Sequence, residues 1–144
     1  MPCLGTKEIE AILPQKYPFL LIDRVLDYKE DDYLVAIKNI TGNEWSSVDS
    51  VSQLECWPEM LAVEGALQAA IILYHKSKNF PGETPVYFIG KVISEFYCLP
   101  KIGDSLNIVV SAEKLMRIGG YARIDLKNQK ERISSIEIFF SVKR

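Results

Sequence analysis

The chain has 144 residues, 48% of them apolar and 25% charged, a globular balance that excludes a disordered chain and fits one domain over residues 1–144. Lys and Arg number 17 against 19 Asp and Glu, a net charge of −2, so the basic excess that a nucleic-acid surface needs is missing. Cys3, Cys56 and Cys98 form no CxxC pair, and they read as reduced thiols in a cytoplasm rather than a disulfide framework.

No basic region followed by an apolar stretch opens the chain, so no secretory signal is expected. Thr6 is a plausible cap for a short helix over 7–13, which Pro14 stops. Residues 19–28 and 33–41 read as two strands of a hairpin around the polar turn Lys29-Glu30-Asp31-Asp32. Residues 42–57 show no clean period and read as a long loop, of a length that is usually functional or mobile. Pro58 suits the first turn of a helix over 59–78, ended by Asn79, Pro81 and Gly82. Its most apolar part, 60–74, is 15 residues long and carries Glu64 and Gln68. A bilayer span needs about 20 apolar residues, so this is a core helix and not an anchor. Strands over 86–96, 106–115, 121–126 and 133–142 follow, with turn signals at 100–104, 117–120 and 127–131.

A hairpin, one helix and then a run of strands cannot form a parallel sheet, which would need a crossover for each pair. The helix is apolar almost all round, so it must be enclosed. The economical arrangement is a curved antiparallel sheet of about six strands wrapped around one helix: the hot-dog architecture, of the α+β class. The alternative is an α+β sandwich with the helix on one face, which the lack of a polar helix face disfavours.

Glu64 and Gln68 are four residues apart and so neighbours on one helix face. A carboxylate in such a helix must pair, protonate or face a cavity. Neutralisation by a strand Arg or Lys, or hydrogen bonding by Gln68 and backbone, is the structural reading. General acid or base chemistry is the functional one.

The segment Leu13-Pro14-Gln15-Lys16-Tyr17-Pro18-Phe19-Leu20-Leu21-Ile22-Asp23-Arg24-Val25 resembles the signature LPHRYPFLLVDRV of the 3-hydroxyacyl-acyl-carrier-protein dehydratases of bacterial fatty-acid synthesis, the FabZ-like lyases. Lys38-Asn39-Ile40-Thr41-Gly42-Asn43-Glu44 is similar to that family's KNVTxNE, and Glu64-Gly65-Ala66-Leu67-Gln68-Ala69-Ala70 to its EAxAQAA. Val86-Tyr87-Phe88-Ile89-Gly90 and Gly103-Asp104-Ser105-Leu106 resemble its YFAG and PGDxL. The similarity runs from about Glu8 to the C-terminus and implies the same hot-dog fold.

The resemblance implies a dehydration in which a histidine of the loop motif GHFPxxPxxPG removes the proton beside the thioester carbonyl. A helix glutamate from the other subunit of a dimer protonates the departing 3-hydroxyl, and a backbone N–H at the helix start holds the thioester oxygen. Glu64 matches the glutamate, and the amide would be that of Glu59, next to Pro58. The histidine's place is six residues after Glu44 and fourteen before Glu64; both counts give Ser50. The loop around it is rewritten, only Pro58 of its prolines survives, and the signature's own histidine is Gln15. Ser50 has no visible activating base and is a poor general base.

The one histidine, His75, lies 11 residues beyond Glu64, about 16 Å along a helix, too far to share one substrate carbon. It is expected to be a partly exposed residue favourable to the helix dipole. Cys56 sits between Glu55 and Glu59, acidic surroundings that do not activate a thiol. Asp23-Arg24 reads as an ion pair or a sheet-edge charge, and Gly119-Gly120 as a hairpin turn. No cofactor or metal is expected.

Three functions stay open. The chain has lost the usual dyad, and binds acyl thioesters or serves as the partner subunit of an active paralogue. Or it is an active 3-hydroxyacyl thioester dehydratase with an altered mechanism, Glu64 acting alone or with Gln68 and water. Or it is a thioesterase in which Glu64 activates water. Each takes an acyl thioester, on acyl carrier protein or coenzyme A, in an apolar slot for which Leu61, Ile71, Phe88 and Phe96 are the candidate walls. The resemblance implies a dimer joined edge to edge, or a higher homo-oligomer; the charge balance and the short apolar run speak against nucleic acid and a membrane span.

Overall fold

Buried and exposed residues alternate along most strands, and this alternation gives the sheet one apolar face. The computed structural model describes residues 3–16, 19–41, 56–82 and 85–143. Of the expected loop over 42–57 only Cys56 and Trp57 fall within them, and Ser50 lies outside.

Two strands, β1 (Arg24–Lys29) and β2 (Tyr33–Asn39), form the first hairpin. The others are β3 (Val86–Phe96), β4 (Ser105–Met116), β5 (Gly119–Lys127) and β6 (Arg132–Lys143). They make one six-stranded antiparallel sheet in the order β1-β2-β4-β5-β6-β3. Register shifts interrupt four of its five pairings, at Val25/Asp27, Ile89/Lys91, Ala112/Lys114 and Leu126/Lys127. Such irregularities bend strands and increase twist, and the sheet curls around one long helix. At the β4–β5 turn a Cβ on Gly119 would lie 2.1 Å from the Phe140 carbonyl oxygen, so only glycine fits there.

The short helix α1 is Thr6–Ile12 and the long one α2 is Glu59–His75. Gly5, not Thr6, is the cap of α1, and the Glu8 carboxylate accepts the Gly5 N–H. Eleven residues of α2 are buried, and the helix packs against β2, β4, β5 and β6. Helix α2 ends at His75, three residues before Lys78 where the sequence placed its end. The Asp31 carboxylate, held in the β1–β2 turn at φ 61°, accepts the Ser77 hydroxyl and the Lys78 N–H.

The first strand is also shorter than expected, starting at Arg24. Upstream, the Leu21 N–H and Phe19 C=O bond to the Gln68 side chain, so composition suited to a strand is spent on the helix. At the far edge, among the described residues, β3 pairs with β6 alone, and Val86, Phe88, Ile89 and Ile93 are exposed along it.

Candidate functional site

The site is built where the segment joining α1 to β1 crosses α2. Gln68 is completely buried. Its Oε1 accepts the Leu21 N–H at 2.8 Å, and its Nε2 donates to the Phe19 carbonyl at 2.6 Å. The same amide donates to Glu64 Oε1 at 3.2 Å. Gln15 Nε2 donates to that oxygen from the other side at 3.1 Å. Among the described residues the ion pairs Lys29–Asp32, Lys38–Asp23 and Arg132–Asp125 leave Glu64 out. Its hydrogen-bond neighbours are neutral amides: of the two forms of the structural reading, the one found among the described residues is hydrogen bonding by Gln68 and not pairing with a strand cation.

A cavity of about 350 Å³ opens beside the carboxylate. Pro14, Gln15, Glu64, Leu67 and Ile71 form one wall, and Pro85, Val86, Tyr87 and Ile89 the other. The volume lies in the range of small-molecule sites. Burial, and secondly Tyr74, pushes the Tyr87 phenol up to about 12, so this wall is neutral at ordinary pH. The second wall is the start of β3, so the cavity lies along the sheet edge that β3 forms among the described residues.

Of the residues singled out in the sequence, Glu64 and Gln68 are brought together and Ile71 lines the cavity. Gln68 bonds chiefly to backbone, as a brace. Leu61 and Phe96 pack against the core, and Phe88 is exposed under Lys143 Nζ, 5.5 Å from its ring centroid; none of the three is a wall of this cavity. Pro58 caps α2, and its carbonyl accepts the N–H of Leu61 and of Ala62. Glu59, exposed at the first helical position, therefore has one of the first-turn amides that no helix carbonyl reaches.

His75 ends α2 with its ring 4.4 Å from Phe80. Burial, and then Lys76, lowers its pKa. Asp23 pairs with Lys38 and not with Arg24, whose guanidinium reaches Cys3 Sγ. Among the described residues no group of His, Cys, Asp and Glu is arranged to hold a metal, and no helix is long and apolar enough to cross a membrane. Sequence reasoning missed the role of Gln15, whose only signal was its place in the N-terminal signature, and most of the cavity walls.

Residues 13–136 match the FabA-like domain. The chain belongs to the FabA-like family. A 3-hydroxyacyl-acyl-carrier-protein dehydratase FabZ of Vibrio vulnificus is 38% identical over 127 residues, 85% of each chain. One from Coxiella burnetii is 38% identical over 119 residues, 81% of this chain and 82% of its own. Among solved structures, the dehydratase heterocomplex ApeI:P of Xenorhabdus doucetiae superposes with a TM-score of 0.74 at 12% identity, covering 94% of this chain and 91% of that one. Zebrafish thioesterase superfamily member 2 gives 0.70 at 14% identity, covering 96% and 94%. Both establish the hot-dog fold of this FabA-like chain. The fragments likened to the dehydratases in the sequence thus belong to one homologous domain, and Glu64 and Gln68 sit inside it.

Proposed function

We propose that this chain is a dehydratase-family subunit without a histidine base of its own, which binds an acyl thioester and lends Glu64 to a site completed by a histidine-bearing paralogue. The observation that carries the reading is the placement of Glu64: an uncharged-neighbour carboxylate in a cavity whose second wall, Pro85 to Ile89, is the beginning of the open edge strand. A partner strand laid along β3 brings its own residues to the mouth of that cavity. His75 stands about 16 Å along the helix from Glu64, and Ser50 occupies the place of the loop histidine. A general base contributes typically about 10²–10⁴-fold, so the chain alone is a severely slowed dehydratase. A neighbour of the same fold is a dehydratase heterocomplex, which supports a mixed assembly for this chain.

The test is complementation. A histidine-bearing dehydratase from the same cell, with its helix glutamate changed to alanine, is co-expressed with this chain and assayed on 3-hydroxydecanoyl-acyl carrier protein. Each protein alone turns over slowly, the mixture recovers activity, and Glu64→Ala in this chain removes the recovery. Robust turnover by this chain alone sinks the reading in favour of an altered-mechanism dehydratase. Release of free thiol without enoyl product sinks it in favour of a thioesterase.

A further inference from the structure

Glu64 Oε1 accepts two amide N–H groups, from Gln68 at 3.2 Å and Gln15 at 3.1 Å. Gln68 is held by its own bonds to Leu21 and Phe19, so its amide cannot turn. Gln15 is held by its backbone. Leu13 before it is buried and bonded to Ile9, the Lys16 ammonium donates to the Glu10 carbonyl, and Phe19 N–H donates to the Lys16 carbonyl. A carboxylate oxygen requires a donor, which orients the Gln15 amide with Nε2 toward Glu64.

That orientation leaves Gln15 Oε1 buried with no partner. An orphaned buried acceptor is destabilising, and an apolar side chain of similar size would avoid it. The Gln15 donor bond therefore has a use other than holding the fold. With Oε1 occupied on two sides, Glu64 has its second oxygen alone to offer to the cavity.

We propose that Gln15 is a positioning residue that, with Gln68, clamps one oxygen of the Glu64 carboxylate and so fixes which oxygen meets the ligand. The inference rests on the reading of Glu64 as the carboxylate lent to a shared site. Gln15 takes the place of the signature histidine with a donor that does not itself titrate.

The experiment uses the complementation mixture with Gln15→Leu and Gln15→His. A hydrogen bond to a charged group corresponds to a factor of about 10–100. Gln15→Leu is expected to lower kcat by about that factor with KM little moved, while the urea midpoint of the chain stays equal or rises. Gln15→His, a donor of similar reach, is expected to recover kcat at pH 8, where Gln15→Leu stays low. A wild-type kcat in Gln15→Leu, or a kcat loss matched by a large fall in the urea midpoint, overturns the inference while Glu64→Ala still abolishes complementation. Failure of the wild-type chain to complement removes the reading itself and this inference with it.

Discussion

Gln68 donates to Glu64 Oε1 from one helical turn away while its other contacts fasten the backbone of Phe19 and Leu21 to the helix. One side chain thus couples the position of the acid to the packing of a segment 47 residues distant in sequence. The amide serves the fold first and the site second. Removing it strands the Leu21 N–H, which belongs to an almost wholly buried residue.

Gln68→Leu is accordingly expected to destabilise the chain by about 1–3 kcal/mol, the penalty for one buried donor left without a partner. Urea unfolding with an unchanged m-value measures it. A loss well below 1 kcal/mol would mean that water or a neighbouring group takes over the Leu21 amide.

His75 is the only histidine, so its imidazole gives an isolated NMR signal. Burial lowers its pKa from 6.5, which means that the unfolded chain binds the proton more readily. Stability from this residue is present above pH about 6.5 and is lost as pH falls through the folded value. The titration midpoint is expected below 6.5, and His75→Gln is expected to flatten the pH dependence of stability in that window. A midpoint above 6.5 would show the helix dipole winning over desolvation.

The fold was largely legible because each element carries its own period: β3 begins and ends as the composition of 86–96 predicts, and an apolar helix with no polar face has to be wrapped. What failed were boundaries decided by distant partners. Residues 19–23 have a strand's composition, yet Gln68 takes the backbone groups of Phe19 and Leu21. Glu64 stood out as a carboxylate in an apolar run. Its clamp by Gln15, 49 residues away, leaves no mark in any local window. The cavity walls were missed for a similar reason, since strand alternation does not tell which of Val86, Tyr87, Phe88 and Ile89 turns toward the helix.

The position of β3 at the edge of the described sheet leads to a prediction on assembly. Exposed apolar residues on an edge strand invite another strand, and Ile89 is both exposed there and a wall of the cavity. The chain is expected to sediment as a dimer, with itself or with a paralogue, and Ile89→Glu to shift it toward monomer while the circular dichroism spectrum stays the same. A wild-type chain that sediments as a monomer, alone and beside its paralogue, would contradict this.

Glu64→Gln separates brace from acid. The amide oxygen of a glutamine at position 64 can still accept from Gln15 and Gln68, so the hydrogen-bond geometry around Oε1 survives. What disappears is the group that carries or takes up a proton. Stability is therefore expected to change by less than about 1 kcal/mol, the net worth of one neutral hydrogen bond, while complementing activity falls by about 10²–10⁴, the usual contribution of a general acid or base. Urea unfolding and the dehydration assay on the same preparation check both halves. Activity intact beside a large loss of stability would make the carboxylate a structural brace and nothing more.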